Sequence, residues 1–298
     1  MDNENDNSTD TGMDLWVREV YHGTFGLQFK VVETLFSRRS PYQRVDVVRT
    51  AGFGRMLLCD GAVMLTEGDE FVYHEMIAHV PLFVHPKPAS VLVIGGGDGG
   101  TAREVLRHES VSRCVMVEID EMVVEASREH LPGMGPWDDP RLDLRIADGV
   151  EFTRTTEERF DVVIVDSTDP VGPATVLFSE GFYADVARVL TDDGILVAQA
   201  ESPYFDGMVQ RRMLENQRTH FPRLHLYNIS NLSYPGGLWS LTFASRGLCP
   251  IRDFREDAAR AGGFETRYYN PMIHRAAFGL PEFVRKNIQG VADEPPSA

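Results

Sequence analysis

From Ser90 onward, short apolar runs alternate with segments that have the character of helices. The runs lie at 91–94, 114–119, 142–146, 161–165 and 194–198, and helices are predicted at 101–108, 121–130 and 179–190. Apolar strands separated by helices predict a mostly parallel sheet covered on both faces. Two later runs, at 223–227 and 238–244, would complete that sheet. The pattern therefore predicts a doubly wound α/β domain.

The chain before Ser90 has a different character. Residues 27–67 predict short strands, and Asp60-Gly61 between 55–59 and 62–66 is a strong signal for a two-residue hairpin turn. A helix is predicted at 70–80, and a boundary near Pro86. We expect a disordered acidic leader at 1–14, a β-rich N-terminal domain at 15–86 and a catalytic α/β domain at 87–290.

The charge balance excludes some classes of partner. Asp and Glu number 45 against 29 Lys and Arg, for a formal net charge of −16. Nucleic acids and anionic membranes both require a basic face, so neither is expected as a partner. The leader is polar, the apolar runs are short, and the three cysteines lack CxxC or metal-ligand spacing. We therefore expect no signal peptide, no membrane helix and a reducing, cytoplasmic location.

Carboxylates follow four successive predicted strands. In doubly wound sheets, ligands bind beyond the carboxyl ends of the strands. A single acid at such an end is usually a turn or helix-cap residue, which is our interpretation of Asp120. Four strands ending in this way indicate a site, and the acids concerned are Asp98, Glu118, Asp148, Asp166 and Asp169.

The loop Gly95–Gly100 also satisfies GxGxxG, and Glu118 follows at the distance of a ribose-binding acid. A nicotinamide dehydrogenase is thus one alternative, but Asp98 would repel a pyrophosphate in that loop. An adenosine ligand without phosphates fits better, with Glu118 on the ribose hydroxyls and Asp148 accepting from the adenine amino group. If the amino-acid arm lies near Asp98, decarboxylated S-adenosylmethionine, with its lone ammonium, is favoured over S-adenosylmethionine. An ordinary methyltransferase is accordingly a weaker alternative.

Several motifs together resemble one family over about residues 16–288. They lie at 40–44, 54–61, 69–75, 93–100, 117–120, 147–149, 166–170, 172–173, 177–178, 234–237, 267–271 and 274–278. GGGDGG followed by DSTDP is the specific combination. The chain resembles the spermidine synthase family of aminopropyltransferases.

The resemblance implies a Rossmann-like, methyltransferase-type sheet and a homodimer or homotetramer. It implies transfer of an aminopropyl group from decarboxylated S-adenosylmethionine to putrescine, giving spermidine and methylthioadenosine without a cofactor or metal. By position, Asp166 would be the catalytic base. The donor would contact Gln43, His74, Gly96, Asp98, Glu118, Asp148, Gly149 and Pro173, and the amine would contact Tyr73, Asp166, Asp169 and Tyr234. The segment 171–174 could close over the site.

Other readings of single residues stay open at this point. His74 and His79 are five residues apart, so they do not share a helix face as zinc ligands would. Without the resemblance, His74, Tyr73, Gln43 and Tyr234 would be read as core, strand or turn residues. Met64 stands where the family usually has Gln, which leaves cadaverine, agmatine, a 1,3-diamine or spermidine as possible acceptors. A homologue that only binds a nucleoside or polyamine is the non-enzymatic alternative.

Overall fold

The computed structural model describes residues 14–168 and 172–294, with only the backbone of 172–174. Residues 1–13 of the predicted leader lie outside the described residues, as does Asp169. The described chain forms two sheets, one antiparallel with five strands and one mixed with seven. The doubly wound, mostly parallel fold expected from the sequence is confirmed, and the domain boundaries themselves stay a prediction.

The antiparallel sheet contains five strands in sequence order, joined edge to edge. They are β1 (Leu15–Tyr21), β2 (Phe25–Arg39), β3 (Arg44–Thr50), β4 (Arg55–Cys59) and β5 (Ala62–Thr66). Asp60 and Gly61, both with positive φ, form the predicted turn between β4 and β5.

The expectation of short strands beginning at 27 is wrong for β1 and β2. β1 begins at Leu15, and β2 extends over 15 residues. Two irregularities in register, between Val31 and Glu33 and between Thr34 and Phe36, interrupt the pairing of β2 with β3. Such bulges bend a strand, so one long strand pairs with β1 through its first half and with β3 through the rest.

Helix α1 (Glu70–Val84) follows the antiparallel sheet and packs on the second sheet. The prediction ended this helix at residue 80, ahead of Pro81, whereas α1 continues through the proline to Val84. Leu82, Phe83 and Val84 are buried in the core, and that burial offsets the hydrogen bond that Pro81 removes.

The second sheet has the order β11-β12-β10-β9-β6-β7-β8. Its strands are β6 (Ser90–Gly95), β7 (Arg113–Glu118), β8 (Leu142–Ile146), β9 (Phe160–Asp166), β10 (Leu190–Gln199), β11 (Arg223–Ile229) and β12 (Trp239–Ser245). β12 runs antiparallel to β10 and β11, so the other six strands all run in one direction. The chain order reverses between β6 and β9, which is where doubly wound sheets hold ligands.

The helices cover both faces of this sheet. They are α2 (Gly100–Leu106), α3 (Glu121–His130), α4 (Gly149–Thr155), α5 (Glu180–Val189), α6 (Gly207–Arg218), α7 (Glu256–Ala261), α8 (Pro271–Ala277) and α9 (Glu282–Ile288), with 3₁₀ turns at Gly172–Phe178 and Pro235–Gly237. Alternate residues of β6 enter opposite cores: Val91 and Val93 pack with α1 and α2, and Leu92 and Ile94 pack with α5. In the described part of the chain, no helix combines the length and apolar character needed to cross a membrane.

Candidate active site

The loop after β6 folds around the end of β9. Gly95, Gly96 and Gly99 all have positive φ, the conformation that glycine adopts without strain. The amide of Gly96 donates to the carbonyl oxygen of Asp166 at 2.8 Å, and a Cβ on Gly95 would collide with that oxygen. Gly95 and Gly96 therefore allow the loop to approach Asp166 closely.

Asp166, the last residue of β9, has both carboxylate oxygens in hydrogen bonds. The Tyr73 hydroxyl donates to Oδ1 at 2.9 Å, and the Thr101 hydroxyl donates to Oδ2 at 2.7 Å. Burial and the charge of Asp98 raise the pKa of Asp166 above its ordinary value, against the effect of these hydroxyls and of His74. The carboxyl is thus a stronger base than an exposed aspartate.

Asp98 lies in the glycine loop and is paired with His74. Its Oδ1 accepts from the Gly100 amide at 2.7 Å and lies 3.3 Å from His74 Nε2. His74 Nδ1 lies 2.5 Å from Glu70 Oε2. Burial alone would lower the pKa of His74, but Asp98 and Glu70 outweigh it and raise the pKa to about 10. The imidazolium in turn holds the pKa of Asp98 below its ordinary value, although burial opposes this.

Glu70 also connects His74 to charged side chains on α2. Glu70 Oε2 also accepts from Arg103 at 2.8 Å, and Arg103 Nε donates to Glu104 at 2.9 Å. Glu104 in turn lies 3.2 Å from His79 Nε2. His74 and His79 therefore contact different carboxylates, Asp98 and Glu104, and do not converge as zinc ligands.

Glu118 ends β7 and is packed against the loop. Its Oε1 accepts from the Asp120 amide at 2.8 Å, and a Cβ on Gly97 would lie 2.8 Å from Oε2. Burial, helped by the charges of Asp120 and Asp166, raises the pKa of Glu118 to about 7. Asp120 caps α3 through the Met122 amide, as interpreted, and also accepts from Gln43 Nε2 at 3.0 Å.

Asp148 and Gly149 begin α4. Asp148 is exposed and caps the helix, with Oδ1 accepting from the amides of Val150 and Glu151. Gly149 is buried against Ile94 of β6. Both residues therefore lie at the carboxyl edge of the sheet, on the β8 side.

Tyr73 and Tyr234 form the opposite side of the cluster. Their rings lie edge to face with centroids 5.9 Å apart, and the Tyr234 hydroxyl donates to the Met64 carbonyl at 2.8 Å. Asp169 lies outside the described residues, and the side chain of Pro173 is not described. The idea that 171–174 closes over the site likewise stays a prediction.

His74, Asp98 and Asp166 each place one potential metal-ligand atom within 4.8 Å of the other two. His74 contacts carboxylates through both ring nitrogens, and both oxygens of Asp166 accept from hydroxyls. Ion pairing and hydrogen bonds thus account for the closeness of these three side chains without invoking a metal ion.

Sequence reasoning missed Thr101, Glu70 and Arg103. Glu70 lies one helical turn before His74, so i,i+4 spacing on the predicted helix could have suggested that pair. Thr101 gave no such signal, because its contact with Asp166 spans 65 residues and depends on the sheet order.

These features define an α/β enzyme with a Rossmann-like, methyltransferase-type fold and a cluster of acidic side chains at the reversal of strand order. A model described as the spermine/spermidine synthase domain matches residues 70–253, and one described as the spermidine synthase tetramerisation domain matches 15–67. The chain belongs to the spermine/spermidine synthase family, which confirms the resemblance and the prediction of an aminopropyltransferase enzyme.

Individual relatives agree with this assignment. The polyamine aminopropyltransferase of Bacillus subtilis (strain 168) is 45% identical over 272 residues, covering 91% of this chain and 98% of the relative. The polyamine aminopropyltransferase of Caldicellulosiruptor saccharolyticus is 45% identical over 278 residues, covering 93% of this chain and 99% of the relative. Spermidine synthase from Thermotoga maritima aligns with a TM-score of 0.89 at 43% identity, covering 92% of this chain and 94% of that one. A spermidine synthase solved with the transition state analogue AdoDATO aligns with a TM-score of 0.90, at the same identity and coverage.

Proposed function

We propose that the protein is a spermidine synthase, which transfers an aminopropyl group from decarboxylated S-adenosylmethionine to putrescine. The observation that carries the proposal is the arrangement of Asp98 and Asp166. The charge of His74 holds the pKa of Asp98 low, and Asp166 is a half-buried carboxyl of raised pKa at the reversal of strand order. Asp98 is suited to bind a cation, and Asp166 is suited to accept a proton.

The donor would lie along the ends of β6, β7 and β8. Glu118 would accept from the ribose hydroxyls, and Asp98 would bind the ammonium of the aminopropyl arm, with Gly96 giving close backbone approach. His74 and Gln43 would act indirectly, His74 through its contact with Asp98 and Gln43 through its contact with the cap residue Asp120. Asp148, Gly149 and Pro173 are proposed to surround the adenine.

The amine would enter between Tyr73 and Tyr234, with Asp169 holding its distal ammonium. A primary alkyl amine has a pKa near that of lysine, about 10.4, and is mostly protonated at neutral pH. The nitrogen must therefore give up its proton as it attacks. A carboxylate within hydrogen-bond reach can accept that proton.

The step balances without a further reactant. The lone pair of the amine forms the new carbon–nitrogen bond while the carbon–sulfur bond breaks. The electron pair of the carbon–sulfur bond stays on sulfur, so methylthioadenosine leaves as a neutral molecule. Asp166 takes the proton released from nitrogen. The sulfonium already activates the carbon, so the protein contributes mainly alignment and proton acceptance.

Met64 bears on the choice of acceptor. Its side chain packs against the apolar cluster that includes Val123 of α3, and its backbone carbonyl holds Tyr234. The replacement of Gln by Met therefore adds to an apolar core, while the contact with Tyr234 depends on the backbone alone. Putrescine is the proposed acceptor; cadaverine, agmatine, a 1,3-diamine and spermidine are the alternative acceptors, and nucleoside or polyamine binding without catalysis is the alternative function.

We also propose a homodimer or homotetramer formed through the antiparallel sheet, in the cytoplasm. The match to a tetramerisation domain over 15–67 supports the assembly. In that sheet, Leu15, Trp16 and Val20 of the edge strand β1 are exposed apolar residues. Three free cysteines, all buried, suit a reducing compartment.

The acceptor is tested by mass spectrometry of reactions with decarboxylated S-adenosylmethionine and each candidate amine. Spermidine and methylthioadenosine should form in equal amounts with putrescine, and at the highest kcat/KM of the panel. Preference for another amine would contradict putrescine as the acceptor. Binding of methylthioadenosine without turnover of any amine would support the non-catalytic alternative.

A further inference from the structure

The second oxygen of Asp166 is held by a residue that the sequence did not indicate. Thr101, the second residue of α2, is fully buried, and its hydroxyl donates to Asp166 Oδ2 at 2.7 Å. The Tyr73 hydroxyl donates to Oδ1 from α1. Two neutral donors from different helices thus hold the two oxygens of one carboxylate.

We propose that Thr101 is a positioning residue whose hydroxyl keeps Asp166 ionised as the amine approaches. The inference rests on the proposed role of Asp166 as the base. It adds that a hydroxyl on α2 sets the pH range in which this base works.

The surroundings restrict the Asp166 carboxylate on the Thr101 side. A Cβ on Gly96 would lie 3.0 Å from Oδ2, so the glycine loop closes over the oxygen that Thr101 holds. Rotation of the carboxylate would break both hydroxyl contacts. Each oxygen has a further lone pair, so the fixed group can still accept a proton from nitrogen.

The charges around Asp166 mostly oppose its ionisation. Burial and the charge of Asp98 in the loop raise the pKa of Asp166. The charge of Asp166 in turn helps to raise the pKa of Glu118, the acid at the end of β7. His74 on α1 is the opposing positive charge, and Tyr73 is a neutral donor. Hydrogen bonds to an ionised group are among the stronger ones, so loss of the Thr101 hydroxyl should shift this balance measurably.

The test compares Thr101→Val, which keeps the branched shape and removes the donor, with Thr101→Ser, which restores a hydroxyl. The rate kcat is measured against pH for each variant. In Thr101→Val, the acid limb of the profile should move to higher pH, with kcat reduced about tenfold on that limb. At high pH, where Asp166 is ionised regardless, kcat should approach the wild-type value, and Thr101→Ser should restore the wild-type profile.

Methylthioadenosine binding checks that each variant is folded, and Thr101→Ala replaces Thr101→Val if the latter does not fold. The inference is overturned if Thr101→Val leaves the profile in place, or lowers kcat equally at every pH. Thr101→Val should also have no further effect when combined with Asp166→Asn. If Asp166→Asn alone keeps near-normal turnover, the proposed base is wrong; if it is inactive while Thr101→Val is normal, only the role of Thr101 is wrong.

Discussion

Potential ligand oxygens of Asp98 and Asp166 lie within 4.8 Å of each other, yet the pKa values of the two carboxyls shift in opposite directions. His74 accounts for much of the difference, because it pairs directly with Asp98 and is itself held by Glu70. Two acids that would repel each other at this distance thereby have separate electrostatic roles.

Glu118 should make nucleoside binding depend on pH. Its pKa is raised to about 7, mainly by burial, so the carboxylate needed for the ribose hydroxyls is depleted below that pH. The affinity for methylthioadenosine, which has no ammonium to sense Asp98, should rise about tenfold between pH 6 and pH 8. Calorimetric titration measures it. Glu118→Gln should bind more weakly with little pH dependence, and equal pH dependence in both proteins would contradict the assignment.

Gly97 should be required for the position of Glu118. Its φ is not in the left-handed region, so Gly97→Ala is allowed by the backbone, but the new Cβ would lie 2.8 Å from Glu118 Oε2. We expect at least about a tenfold increase in the Kd of methylthioadenosine with the fold intact. Gly181→Ala is the matched control, because nothing lies within 4 Å of its Cβ on α5. A normal Kd in Gly97→Ala would show that Glu118 does not hold the ribose from this position.

His74 should make the native state less stable as the solution becomes alkaline. Its pKa in the folded protein, about 10, exceeds the usual value near 6.5, so the folded state binds the proton more tightly. The stabilisation is fully present below about pH 6.5 and is lost as pH rises toward 10. Urea unfolding at several pH values should show a decline that His74→Gln makes shallower, by on the order of 1 kcal/mol over this range. Parallel wild-type and variant curves would argue against a charged His74.

The sequence predicted the strands of the second sheet well, for a physical reason. A strand buried on both faces needs an unbroken apolar run, and 91–94 and 162–165 are such runs. The acids at their ends then converge because parallel strands share one carboxyl edge, which brings Asp98, Glu118 and Asp166 together.

Other features depended on tertiary context that no local pattern carries. α6 was missed because it is a polar helix in which Gln210 and Gln217 occupy buried positions beside Met213 and Leu214. The extent of α1 depended on core packing beyond Pro81. The hydrogen bond from Thr101 to Asp166 depends on β6 and β9 being neighbours in the sheet. No local sequence pattern indicates that pairing.

The central claim is that Asp166 accepts the proton of the attacking amine. It is tested most directly by kcat of Asp166→Asn with putrescine and decarboxylated S-adenosylmethionine from pH 6 to pH 10, with methylthioadenosine affinity as the check on folding. The account predicts a loss of about 100-fold or more in kcat with nucleoside binding retained. Turnover within a few-fold of the wild-type rate across that range would contradict it.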